Sequence, residues 1–278
     1  MIFTLFLIAI TGIFIGLYAK FYKRIPILMY HRIATVPGER NSLPPEKFKE
    51  QLDYLQKEGY ITITLNDLYR HYVQQAPLPL RPVVLTFDDG YDDNYAIALP
   101  LLRDRNMKAA VFPITNWIGK ENKWENFNQQ ITRTMDWDKL REWKTAEMEI
   151  GSHTLDHPFL TQCDEHRLEQ ELRASKVILE EQLGSTIDFL CYPYGFFDDT
   201  IIRVAQKAGY KGALAIYDNV PLWQQDLFAL PRIPIPARQS LWEFKLKVGR
   251  LHIIFILLRQ LERNCKRLLR KLSLLGIV

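Results

Sequence analysis

Apolar residues fall along this chain in two alternating rhythms. Short continuous runs, suited to strands buried on both faces, are expected as strands at 27–31, 83–88, 109–114, 148–153, 188–192 and 212–216. Between them lie segments whose apolar residues recur every three or four positions. These are expected as helices at 45–58, 65–74, 93–105, 136–146, 164–183 and 198–208. In the first of them Phe48, Leu52 and Leu55 mark one face, and Gly59 and Gly209 stand where helix C-caps belong. Such alternation predicts a parallel α/β sheet or barrel with ligands gathered at the strand C-termini. No Ser/Gly-rich linker or internal repeat interrupts it, so one domain over 25–240 is expected.

The two ends break the rhythm. Residues 2–19 carry no charge, a run long enough to span a bilayer, and 1–24 is expected to be a membrane anchor. It lacks a basic start and an Ala-x-Ala cleavage signal, so a single-pass helix is favoured over a removed leader. Lys20, Lys23 and Arg24 follow at once, and the positive-inside tendency favours the cytoplasmic side for the rest of the chain, with the external side as the alternative. Residues 241–278 form a basic tail. From Lys245 to Lys271 the only acid is Glu262, while Ile254, Leu258, Leu261, Cys265, Leu268 and Leu272 share one helical face. A basic amphipathic helix of this kind suits an anionic membrane surface. A final helix packed on the domain is an equal alternative for 241–258.

Candidate chemistry sits at two strand ends. The strand Val83–Phe87 runs into Asp88-Asp89-Gly90. Two adjacent buried carboxylates are costly without a cation, and neighbours in extended backbone point opposite ways, so the pair can hold two jobs. Taken alone, the same residues also read as a plain turn. The second strand end carries His153-Thr154-Leu155-Asp156-His157, followed by Pro158, which argues against a continuing helix. Two imidazoles and a carboxylate make a three-ligand set with positions left open, the ligand count of a catalytic metal site.

Thr86-Phe87-Asp88-Asp89-Gly90 together with His153-Thr154-x-x-His157 resembles the polysaccharide deacetylases with a NodB-homology domain, carbohydrate esterase family 4, over residues 26 to 236. Met29-Tyr30-His31 resembles the start of the family's circularly permuted branch, which includes poly-N-acetylglucosamine deacetylases. The resemblance implies a distorted (β/α)7 barrel. It implies Asp88 as catalytic base and Asp89, His153 and His157 as ligands of a divalent metal. Zinc is the default, with iron, cobalt or nickel compatible. His31 is implied as general acid; its rival, His252, lies in the basic tail and not at a strand end. The backbone N–H of Tyr194 is implied as an oxyanion donor. The third motif departs from the family: Cys191 stands where an arginine usually steadies the base, and Arg232 is a candidate substitute. Tyr192, Tyr194 and Trp223 are expected to border a substrate groove.

The implied reaction is metal-dependent hydrolysis of N-acetyl or similar N-acyl groups on amino sugars, in polysaccharide or lipid-linked form, with water as nucleophile. The alternative is a non-catalytic glycan- or metal-binding module on the same fold. The 278 residues are 47% hydrophobic and 24% charged, with a formal net charge of +4, an ordinary globular composition. The basic excess accompanies no nucleic-acid motif, so a membrane partner is expected and nucleic acid is not. Three scattered cysteines, Cys163, Cys191 and Cys265, do not form a disulfide framework.

Overall fold

The computed structural model describes residues 25–124, 130–220 and 226–249. The apolar run 2–19, Trp223 and nearly all of the basic tail lie outside the described residues. Among the described residues no helix is long and apolar enough to cross a membrane. Residues Ile27–Leu241 form one compact unit.

Its framework is a curled, parallel sheet. β1 (Ile27–Tyr30) pairs on one side with β5 (Pro82–Asp89), and β5 continues to β6 (Ala110–Pro113) and β7 (Glu149–Ile150). On its other side β1 pairs with β10 (Leu230–Pro234), which leads to β9 (Gly212–Ile216) and β8 (Phe189–Cys191). The short strand β4 (Ile61–Thr62) adds to β5, while β2 (Arg32–Ile33) and β3 (Ser42–Leu43) pair apart from the sheet. The sheet curls far enough that its two edges meet at a bridge between Ser152 and Leu190. At this meeting a side chain on Gly151 would run into the Phe112 ring, so only glycine fits. The strands read as unbroken apolar runs because both faces are buried, one by the curl's interior and the other by helices.

Helices fill the crossovers as the periodicity expects. α1 (Pro45–Lys57) buries Phe48, Leu52 and Leu55. α2 (Leu65–Gln74) opens on a capping box between Thr64 and Asp67. α4 (Trp137–Thr145) and α7 (Asp199–Lys207) are capped by Asp136 and Asp198. α4 also buries Trp143, whose ring meets Phe87 edge-on, so this tryptophan packs the core.

Two expected helices contain an irregularity the periodicity does not reveal. The 93–105 segment begins with a π-helical turn, Asn94–Ala98, before α3 (Leu99–Arg103). The 164–183 segment is α5 (Glu165–Glu169), a π-helical turn at Gln170–Ala174, then α6 (Ser175–Leu183). Such turns often mark functional positions. β10 was not expected as a strand, since Pro231 and Pro234 argue against one in mid-sheet.

Candidate active site

Parallel pairing brings the C-terminal ends of β1, β5, β6, β8 and β9 to one rim, and the two motifs meet there. Asp89 ends β5 with φ 68°, and Gly90 continues at φ 72°. A Cβ on Gly90 would come within 2.9 Å of the Pro113 side chain, so the turn needs glycine twice over. Thr154, His157 and Tyr194 also take left-handed backbone, at φ 69°, 60° and 58°. Non-glycine residues seldom adopt it, and strain of this kind gathers at functional sites.

The His153–His157 loop is held from several sides. Thr115 and Asn116 donate backbone N–H groups to the carbonyls of Thr154 and Leu155. The Thr154 hydroxyl accepts from the His157 N–H at 3.1 Å. From the second π-helical turn the fully buried Glu171 accepts the N–H groups of Leu155 and Asp156, at 2.9 and 3.0 Å. Sequence reasoning missed Glu171; a glutamate on the apolar face of a helix is the signal that could have found it.

Held this way, His153 Nε2 lies 3.5 Å and His157 Nε2 3.8 Å from the same Asp89 oxygen. All three residues are buried, and one ligand atom from each lies within 4.8 Å of the others. Burial pushes the His153 pKa down to about 4 against the pull of Asp88, and it holds His157 well below its ordinary value. Both imidazoles are therefore neutral. The His153 Nδ1 hydrogen bonds the Cys191 carbonyl at 2.8 Å, a partner that accepts only from N–H, which leaves Nε2 as a lone pair. A neutral imidazole nitrogen from each histidine and a carboxylate are the donor set of a divalent cation with open positions, so the residues fit the expected metal.

Asp88 sits beside this set, 2% exposed. Arg232 donates to both of its oxygens, at 2.5 and 2.8 Å, and also reaches the Thr86 hydroxyl. β10 is separated from β5 by β1, and from β8 by β9. A side chain from β10 that touches Thr86, Asp88 and Cys191 must therefore cross the interior of the curl. Burial opposes the charged carboxylate, but the Arg232 guanidinium prevails, and Asp88 is held well below the usual carboxylate range. Cys191 lies 2.9 Å from Arg232 Nη2, and burial keeps its thiol protonated. Asp88, His153 and Cys191 also converge, but the guanidinium already supplies positive charge there. The arginine that the third motif lacks at position 191 is thus matched in space by one from β10.

His31 stands just beyond β1, with Nε2 3.9 Å from Asp88 Oδ2 and its side chain 18% exposed. Burial lowers its pKa, Asp88 raises it, and Arg232 and Arg40 oppose Asp88. Tyr194 borders the ligand set, its ring edge-on to His157 at 4.6 Å and stacked on Phe159 at 3.9 Å. Phe159 and the nearby Phe196 are 41% and 45% exposed, making an open aromatic shelf beside the candidate ligands. Tyr192 corrects an expectation. It does not border a groove: its side chain is fully buried, stacked on Phe197, with its hydroxyl donating to the Phe228 carbonyl. Strand alternation alone would turn residues two apart the same way; the left-handed backbone of Tyr194, φ 58°, breaks the extended run, so Tyr192 stays inside while Tyr194 faces the ligand set.

Comparison with known proteins follows the same outline. The family model for polysaccharide deacetylase matches residues 75–213. The Bacillus subtilis protein YxkH is 28% identical over 217 residues, covering 78% of this chain and 73% of the relative. The poly-β-1,6-N-acetyl-D-glucosamine N-deacetylase of Staphylococcus epidermidis is 25% identical over 200 residues, covering 69% of this chain and 67% of the relative. Among solved structures, the Streptococcus pyogenes deacetylase PplD, in complex with acetate, superposes with a TM-score of 0.71 at 27% identity. It covers 81% of this chain and 98% of its own.

Proposed function

We propose, for a chain that belongs to the polysaccharide deacetylase family, that this carbohydrate deacetylase removes N-acetyl groups from an amino-sugar glycan at a membrane surface. The single observation that carries the catalytic part is the Asp88–Arg232 pair set against the Asp89, His153 and His157 ligand atoms. A non-catalytic binding module has no need of a buried, ionised carboxylate beside its ligands, and keeping one is expensive.

Asp89, His153 and His157 would hold the divalent ion, with zinc suited to two imidazoles and a carboxylate. When bound, it supplies Lewis acidity, polarising an acyl carbonyl and making a water proton easier to remove. Asp88, ionised at any pH near neutrality, takes that proton as water attacks the acyl carbon. A carboxylate this stable is a weak base, so it depends on the water being made acidic. The Tyr194 N–H donates to the oxygen on which charge builds. His31, across 3.9 Å from Asp88, gives a proton to the nitrogen as the C–N bond breaks, releasing an amine and a carboxylic acid. The shelf of Phe159, Tyr194 and Phe196 offers apolar faces for a sugar ring.

Membrane placement rests on the uncharged 2–19 run and the basic tail. Both would keep the enzyme beside a lipid-linked or surface-bound glycan, with the domain on the cytoplasmic side. Incubation with N-acetylated β-1,6-linked glucosamine oligomers, followed by enzymatic assay of acetate, tests the activity. Acetate above the no-enzyme control supports it, and none from any N-acetylated amino sugar, free or lipid-linked, defeats it. A topology reporter fused after Val278 checks sidedness. Phe159→Ala should raise KM for the oligomer about fivefold with little change in kcat, the loss of roughly 1 kcal/mol of stacking. Steady-state kinetics over a range of oligomer concentrations measures this.

A further inference from the structure

We infer that Asp93 and Asn94 are positioning residues for His31: the polar pair that follows the double-aspartate turn grips the segment bearing the imidazole. This rests on the reading of His31 as the proton donor. Asn94 is fully buried, and its Nδ2 donates to the His31 carbonyl at 2.7 Å. The same nitrogen donates to Asp93 Oδ1 at 3.2 Å. Asp93 then takes hold of the next two residues after His31. Its Oδ1 accepts the Ile33 N–H at 2.8 Å and its Oδ2 accepts Arg32 Nε at 3.1 Å. Arg32 is fixed in turn by Glu39, at 3.0 Å, and lies over the Tyr91 ring. Three consecutive residues, His31, Arg32 and Ile33, are therefore tied to two.

The need for such a clamp follows from the fold. The main-sheet pairing of β1 ends at Tyr30, and His31 falls in the gap before β2. A side chain in a gap between strands has no ladder to fix its direction, yet proton transfer demands placement to a fraction of an ångström. Asn94 opens the π-helical turn Asn94–Ala98 that precedes α3. Asp88, Asp89, Asp93 and Asn94 thus lie within one short stretch. That stretch supplies the base and a metal ligand, and it also sets the distance from His31 to Asp88. Base and acid are registered by a single segment, without help from the metal.

The consequence shows in the leaving group. An amide nitrogen must be protonated as it departs, whereas an aryl oxide leaves unaided. Initial rates would be measured for the metal-loaded full chain on an N-acetylated glucosamine oligomer and on 4-nitrophenyl acetate. Asn94→Ala and the isosteric Asn94→Asp, which sets a carboxylate against the His31 carbonyl, are compared with His31→Ala. All three are expected to lose about 30- to 100-fold on the amide and less than about threefold on the aryl ester. Adding Asn94→Ala to His31→Ala should cost nothing further on the amide, because both act through one proton. Equal losses on both substrates, or losses that multiply in the double variant, overturn the clamp. If His31→Ala itself fails to discriminate, the acid assignment falls and the clamp with it. If His31→Ala discriminates and Asn94→Asp does not, only the clamp falls. Should Asn94→Ala not fold, Asn94→Asp and Asp93→Asn carry the same comparison.

Discussion

Asp88→Asn is expected to lower kcat on an N-acetylated oligomer about a thousandfold while metal content stays at the parent level. The asparagine keeps the shape and can still accept from Arg232, so the rim is not dismantled. Asp89, His153 and His157, the proposed ligand set, are untouched. What disappears is the proposed proton acceptor, and general-base groups in such reactions contribute about 10²–10⁴. Metal analysis of the purified variant beside steady-state kinetics checks both halves. A variant that turns over like the parent would remove Asp88 from the reaction. Loss of the metal together with activity would instead make it part of the binding set.

Arg232→Ala is expected to be the most damaging single change to stability, at about 3–5 kcal/mol, because it strands a buried carboxylate without its counter-charge. Both Asp88 oxygens accept from this guanidinium, and Arg232 is itself only 1% exposed. The sign of the pH dependence follows. In the parent Asp88 is held below its ordinary value of 3.8, so the pair's contribution is whole above that pH. It fades as the pH falls through the depressed folded value. In Arg232→Ala the stranded carboxylate prefers its proton, so the variant recovers as the pH falls toward 3.8 and the parent weakens below it, and the gap should narrow across both ranges. Urea unfolding at neutral and acid pH measures that gap. A gap that widens in acid contradicts the assignment. Cys191→Arg added to Arg232→Ala should recover part of the loss, since Cys191 Sγ lies 2.9 Å from the guanidinium it would replace.

Much of the frame was legible because it rests on local rules. The runs at 83–88 and 212–216 stand within two residues of β5 and coincide with β9, and the 65–74 helix coincides with α2. Their apolar periods and capping residues carry enough information alone. β10 was not legible, because its prolines speak against a strand and its two neighbours come from opposite ends of the unit. Arg232 could be nominated as a spare cation, but its path across the interior of the curl is a property of the closed sheet. No local pattern encodes it. The π-helical turns were hidden for a related reason. One extra residue in a helical turn barely disturbs the apolar rhythm, yet Asn94 and Glu171 project from these turns toward the rim loops. Tyr192 was misjudged because residues two apart on a strand face the same way, and the left-handed turn at Tyr194 that parts the two tyrosines is not encoded in their spacing.

Acyl hydrolysis, as proposed, depends on a cation held by Asp89, His153 and His157. The direct test is acetate release from an N-acetylated glucosamine oligomer by chelator-treated enzyme, before and after one equivalent of zinc, with His157→Ala in parallel. No release is expected before addition, with recovery in the parent to a plateau at one ion per chain and no recovery in the variant. Steady release from metal-free protein, or full recovery in His157→Ala, would contradict it.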